Sequence, residues 1–104
     1  MNEKKYDLED RTFTFASQVR AFSRLITKTL SNIEDLKQLI RASGSVGANY
    51  IEANENLGDK DFIYRIKICR KESKECRFFL RLLYIENSEE LEKMQMDLLR
   101  NQQN

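Results

Sequence analysis

The sequence predicts an all-α fold, an antiparallel up-and-down four-helix bundle, on three observations. Apolar residues recur at spacings of three and four through most of the 104 residues, the period that gathers them on one face of a helix. Proline is absent, glycine occurs three times and charged residues make up 34 % of the chain, a composition suited to long helices and short turns. Cap and turn residues fall near Ser31, Gly58 and Asn87, and turns of a few residues set sequence neighbours antiparallel. A chain of this length forms one domain over residues 1–104, with a core only modestly larger than the smallest independent folds have.

Residues Met1–Asp7 read as a flexible polar tail. From Leu8, a stripe of Leu8, Phe15, Val19, Phe22, Ile26 and Leu30, flanked by Phe13, Ala16 and Leu25, predicts a first helix ending near Leu30. Asp7 is placed to cap it, with Asp10 at the third helical position. Ser31 and Glu34 have the spacing of a capping box, in which the serine side chain takes the third amide and the glutamate reaches back to the serine amide. The second helix therefore starts there and runs to about Leu57, with Gly58 as a left-handed C-terminal cap. Asp59 caps a third helix that continues to about Ile85. Asn87 with Glu90, or Ser88, opens a short fourth helix through Leu91, Met94, Leu98 and Leu99, and residues 101–104 fray.

The chain is organised around Leu39–Asn54, where Ala42, Ser43, Gly44, Ser45, Gly47 and Ala48 interrupt a helical pattern with small residues. A glycine inside a helix costs about 1 kcal/mol relative to alanine, so a compensating close helix contact is expected. At ~100° per residue, Ile33, Leu36, Leu39, Ile40, Ser43, Gly47, Tyr50, Ile51, Asn54 and Leu57 share one face, with Gly44 and Ala48 at its edge. A neighbouring helix can then pack almost backbone to backbone. A phosphate-binding glycine loop is disfavoured, because such loops precede a helix whereas here the helical period runs straight through.

Eighteen basic and seventeen acidic residues leave a net charge of +1, so bulk charge names no partner and only its distribution can. On the third helix, Phe62, Cys69, Ser73, Cys76 and Leu80 form the core stripe, and Lys67, Arg70, Lys74, Arg77 and Arg81 run beside it as a row of cations. Arg20, Arg24 and Lys28 make a shorter row on the first helix. Such rows either track phosphates or form a solvated face whose cations cover core edges and pair with nearby glutamates. Tyr64 and Tyr6 are available for stacking, without regular interleaving among the cations.

The segment Phe78–Ile85, FFLRLLYI, is apolar nearly all round, more than one face of a small bundle buries. Either the fourth helix or a second copy of the chain covers the rest; because the fourth helix offers few apolar residues of its own, Phe78, Phe79, Leu82 and Ile85 are the expected interface with a second copy. Catalysis finds no support: histidine is absent, and no serine or cysteine has an evident base. Glu72 with Glu75, and Glu52 with Glu55, have carboxylate spacing but lack the histidine of a di-iron bundle. No metal or cofactor is expected. Cys69 and Cys76 lie seven residues apart on one helix face, ~10 Å, too far for a disulfide, and read as buried thiols. No apolar run reaches the ~20 residues of a membrane span, and the charged N-terminus has no signal-peptide character. A cytoplasmic protein without membrane association is expected.

Three segments resemble a known family: Ile40–Asn54, IRASGSVGANYIEAN; Asp61–Leu83, DFIYRIKICRKESKECRFFLRLL; and Leu8–Phe22, LEDRTFTFASQVRAF. Together they are similar to the bacterial four-helix-bundle proteins whose members include those encoded by intervening sequences within 23S ribosomal RNA genes. That family is in turn similar to the accessory variability determinant protein of diversity-generating retroelements. The resemblance implies a four-helix protomer assembling as a homopentameric ring. In the retroelement relatives it implies a basic ring that binds nucleic acid and a reverse transcriptase. It supplies no catalytic residue. Arg41, Glu52 and Glu72 match polar positions of the family pattern and are expected to pair within the bundle or between protomers, with Asn49 and Asn54 hydrogen-bonded nearby. The expected function is a non-enzymatic, self-assembling scaffold, homopentameric and associated with RNA or DNA. The alternative is a protein-protein interaction adaptor that binds no nucleic acid.

Overall fold

A computed structural model of the chain describes residues 3–55 and 58–101, with side chains from residue 7 onward. The described residues form four helices: α1 Glu3–Leu25, α2 Leu30–Glu55, α3 Asp59–Leu82 and α4 Glu89–Asn101. The architecture is all-α and compatible with a four-helix bundle. α2 packs on α1 and on α3, and α4 on α1 and α3, whereas among the described residues no Cα of α1 comes within 8 Å of one of α3. Residues of adjacent helices meet as Thr12 with Gly47 and Arg20 with Ser43, as Arg41 with Glu72 and Asn49 with Arg65, and as Arg77 with Leu99 and Leu80 with Gln95.

The core is a single cluster of Phe15, Val19, Phe22 and Ile26 from the first segment, Leu36, Leu39, Ala42 and Val46 from α2, Cys76, Leu80 and Leu83 around α3, and Leu98 from α4. Most of the predicted α1 stripe is buried. Leu30 is not: it is 81 % exposed, because α1 ends at Leu25 and Leu30 already opens α2. The buried positions of α2 are Asn32, Leu36, Leu39, Ala42, Ser43, Val46 and Ala53. This stripe is turned from the expected one, leaving Ile33 and Ile51 exposed. The reason is that α2 has partners on two sides, so its buried arc centres between α1 and α3 rather than on the most apolar positions.

Helix ends differ from expectation where tertiary bonds intervene. α1 reaches back to Glu3, so residues 3–7 belong to the helix rather than to a tail, and Asp7 pairs with Arg11 one turn on at 3.8 Å instead of capping. The Met1–Asn2 and 102–104 parts of the expected tails, and Leu57, lie outside the described residues. The cap of α2 is Thr29, whose Oγ1 accepts the Asn32 amide at 3.1 Å and whose carbonyl accepts that of Ile33. Ser31 is displaced from the cap position, and Glu34 turns forward to Lys37 at 3.3 Å.

Gly58 sits at the start of α3 with φ 137°, a backbone region open to glycine, and its carbonyl accepts the Phe62 amide. Asp59 is consequently the first residue of α3 rather than its cap; with Asp61 it favours the positive end of the helix dipole. α3 stops at Leu82, short of Ile85. Tyr84 gives its amide to the Asn32 side chain, and Gln95 donates to the Leu80 and Leu83 carbonyls at 2.9 and 3.2 Å, so those orphan acceptors are met from α4. Ser88 caps α4, its Oγ accepting the Leu91 amide at 3.1 Å.

Candidate functional site

The candidate site is the outward face of α3, and its character follows from how the helix sorts its charges. Glu72 and Glu75 of α3 turn toward α2. Arg41 donates from Nη1 to Glu72 Oε2 at 3.2 Å, and from Nη2 to Glu72 Oε1 at 3.3 Å and Glu75 Oε1 at 2.7 Å. Ser45 Oγ adds a bond to Glu72 Oε2 at 3.2 Å. Glu72 is buried, with 8 % of its side chain exposed. Burial pushes its carboxyl up, but the hydrogen bonds and charge of Arg41, with Ser45, outweigh that and hold it below the usual carboxylate range. The same Glu72 bond is the main reason Arg41 is raised, against desolvation.

With Glu72 and Glu75 drawn to Arg41, four cations of the row are left facing solvent. Lys67, Arg70, Lys74 and Arg81 are exposed, and among the described residues none of them is in an ion pair. Arg77 is half-buried and donates to the Leu99 carbonyl at 3.4 Å, which places its part of the row beside α4. From Lys67 to Arg81 the row spans roughly 21 Å at 1.5 Å per residue.

The shorter row does not join it. Arg20 is half-buried in the α1/α2 groove, donating to Ala16 O at 2.8 Å and Ser43 Oγ at 3.4 Å. Lys28 folds onto the Ile26 carbonyl at 2.7 Å, and Arg24 is exposed. Because α1 and α3 are not neighbouring backbones among the described residues, Arg20, Arg24 and Lys28, carried by α1 and the turn after it, do not run beside the α3 row.

The four expected interface residues divide. Phe78 and Leu82 are 56 % and 50 % exposed. Phe79 and Ile85 are half-buried against the core of their own chain, and Phe79 meets the Phe78 ring edge-on at 5.2 Å between centroids. The apolar surface left at the end of α3 is therefore narrower than the sequence implied.

Of the expected polar partners, Arg41 and Glu72 pair as described. Asn49 accepts from Arg65 Nη1 at 3.1 Å, and Asn54 donates to Glu9. Glu52 is exposed, and no ion pair holds it among the described residues. Sequence reasoning passed over Asn32, Arg65 and Gln95. The signal for Asn32 was its spacing to Leu36, Leu39, Ser43 and Val46, which places it on the buried face.

The small residues of α2 do not produce the expected backbone-to-backbone crossing along their length. A Cβ on Gly47 would lie 3.3 Å from Thr12 Oγ1, a tight approach, whereas one on Gly44 would meet only the Arg20 guanidinium at 3.5 Å. Between them an open groove of about 380 Å³ runs along α1 and α2, lined by Thr12, Phe13, Ala16, Gly44, Ala48 and Ile51 among others. Cys69 and Cys76 are buried, and burial pushes their thiols up to about 11 and about 12, far from thiolate chemistry at neutral pH. Among the described residues no group of three or more His, Cys, Asp or Glu is gathered as a metal site, and no helix is long and apolar enough to cross a membrane.

Comparison with known proteins adds a fold neighbour and a family. The crystal structure of a protein of unknown function from the S23 ribosomal protein family of Bacteroides thetaiotaomicron is similar to this chain, with a TM-score of 0.69 at 24 % identity, over 95 % of this chain and 94 % of that one. At that identity the likeness speaks for the fold. No curated protein matches the sequence. The model of the 23S rRNA-intervening sequence proteins matches residues 4–103, nearly the whole length, and the chain belongs to that family.

Proposed function

We propose that this protein is a non-enzymatic, cytoplasmic scaffold that assembles as a homopentameric ring of antiparallel up-and-down bundles and associates with RNA or DNA. The observation that carries the nucleic-acid part is the charge sorting on α3. Arg41 draws Glu72 and Glu75 to one side, and Lys67, Arg70, Lys74 and Arg81 stand exposed on another. With a net charge of +1, long-range attraction is weak, so binding depends on this local row and on its repetition around an assembly. Each cation that meets a phosphate releases condensed counterions, which is where the affinity arises.

Support for the antiparallel arrangement comes from the residue pairs between neighbouring helices, whose numbers rise on one helix as they fall on the other: Arg41 with Glu72 and Asn49 with Arg65, Arg77 with Leu99 and Leu80 with Gln95. Support for self-association comes from Phe78 and Leu82, large apolar side chains half in water at the end of α3. A patch of this kind binding a different surface on the next copy gives a head-to-tail contact, and such contacts close into rings when the rotation permits.

Charge reversal tests the row. Replacing Lys67, Arg70 and Lys74 by glutamate should weaken RNA binding and flatten the plot of log affinity against log salt by about 2, at ~0.7 per phosphate contact on a single strand. An unchanged slope removes these residues from the site. A second reading, a protein-interaction adaptor without a nucleic-acid role, draws on the α1/α2 groove and its exposed Phe13 and Ile51. Capture of the same partners from nuclease-treated and untreated lysate favours the adaptor; partners lost on nuclease treatment favour the scaffold.

A further inference from the structure

We propose that Tyr64 is a stacking platform for an unpaired base, so that the α3 face takes single-stranded nucleic acid in preference to duplex; this rests on the reading of the cation row above. Lys60, Tyr64, Lys67, Lys71 and Lys74 recur at spacings of four and three and therefore share one face of α3. All five are exposed. Tyr64 is 59 % exposed, and its place in the series sets it between Lys60, one turn before, and Lys67, one turn after.

The ring is held in place from the protein side. The Arg65 guanidinium lies 5.6 Å from the Tyr64 ring centroid, a cation–π distance. Arg65 is itself fixed, donating to Asn49 Oδ1 on α2 at 3.1 Å and lying 3.7 Å from Asp61. An aromatic ring anchored in this way loses little freedom when a base stacks on it, and its exposed surface is the part a base can reach.

Stacking needs a free base face. In a duplex the bases are stacked on one another, so Tyr64 contributes nothing there while the lysines still meet phosphates. On a single strand the two act together: a base rests on Tyr64, and the phosphates flanking it fall near Lys60 and Lys67, with Lys74 further along. Lys71, on the same face, is 3.7 Å from Glu75 and is the cation of the series already engaged.

The test is fluorescence anisotropy with three labelled probes of about 20 nucleotides: an oligouridylate, its duplex with oligoadenylate, and an abasic strand of the same charge. They are titrated with the full chain, with Tyr64→Ala, with Tyr64→Phe and with Lys67→Glu/Lys74→Glu. The wild type should bind oligouridylate most tightly. Tyr64→Ala should lose about 10-fold on that probe and nothing on the abasic strand or the duplex. Tyr64→Phe should retain binding, and the double charge reversal should weaken all three. Equal binding of wild type and Tyr64→Ala to every probe, with the charge reversal still effective, overturns the role of Tyr64 and leaves the cation row standing. Tighter binding to duplex than to single strand also overturns it. Failure of the wild type to bind any probe overturns the nucleic-acid reading itself.

Discussion

Asn32 and Tyr84 hold each other by two hydrogen bonds: the Tyr84 amide donates to Asn32 Oδ1 at 2.9 Å, and Asn32 Nδ2 donates to the Tyr84 carbonyl at 2.9 Å. Asn32 is fully buried, and its Nδ2 also reaches the Thr27 carbonyl at 2.8 Å. One amide side chain thus ties the α1–α2 turn to the segment that leaves α3, and it does so by taking over backbone groups that would otherwise extend the helix. Replacing Asn32 by alanine strands those groups. The expected loss is about 1–3 kcal/mol, because the stranded groups are only part-buried and water can meet some of them; urea unfolding of Asn32→Ala against wild type measures it. A loss below that of the half-exposed Asn49→Ala would contradict this role.

Arg41 and Glu72 form an asymmetric pair, with 48 % of the arginine side chain exposed and 8 % of the glutamate. Removing the arginine leaves a buried carboxylate with Ser45 as its remaining donor. Breaking a fully buried pair costs ~3–5 kcal/mol, and the exposure of Arg41 discounts this to about 1–3 kcal/mol. Arg41→Ala should therefore be less stable than Glu72→Gln, which removes the charge instead of orphaning it.

The same pair shapes the acid limb of stability. The carboxyl of Glu72 is held below its ordinary value in the folded state. Its contribution is present above the unfolded-state pKa, ~4.3, and is lost as pH falls through the lower folded-state value. Thermal melts from neutral pH down to about pH 3 should show Glu72→Gln losing less stability than wild type below that point. Parallel acid limbs would mean that Glu72 is not lowered.

The two helical glycines of α2 should respond differently to alanine. Gly44→Ala meets only the Arg20 guanidinium at an ordinary contact distance, so the helix gains most of the ~0.5–1 kcal/mol that alanine brings. Gly47→Ala pushes on Thr12 Oγ1, which is itself bonded to the Glu9 carbonyl at 2.9 Å, so its gain is smaller or reversed. Urea midpoints in the order Gly44→Ala above Gly47→Ala check this, and the opposite order refutes the close approach of α1 at Gly47.

Much of this architecture was legible in the residues. Four helices follow from the apolar period and the turn residues between its runs, and Phe15, Val19, Phe22, Leu36, Leu39, Cys69, Cys76 and Leu80 are core in both views. What escaped depended on contacts distant in sequence. Ser31 looked the better cap, but Thr29 holds the position beside an Asn32 anchored 52 residues away. Ile85 looked helical, but Asn32 and Gln95 take the hydrogen-bonding groups that would have carried α3 that far. The α3 cations were readable because spacings of three and four on one helix need no tertiary knowledge. Their separation from Arg20, Arg24 and Lys28 was not, since it depends on α1 and α3 lying apart in the bundle.

The central claim, a self-assembling scaffold that carries nucleic acid on its α3 cations, is tested most directly by native mass spectrometry on protein purified without nuclease. The proposal predicts an assembly of five times the 12.4 kDa chain mass with additional nucleic-acid mass that disappears in the Lys67→Glu/Arg70→Glu/Lys74→Glu variant. A bare monomer would contradict it, showing that Phe78 and Leu82 remain solvent-exposed in the working protein and that the cation row holds no phosphates.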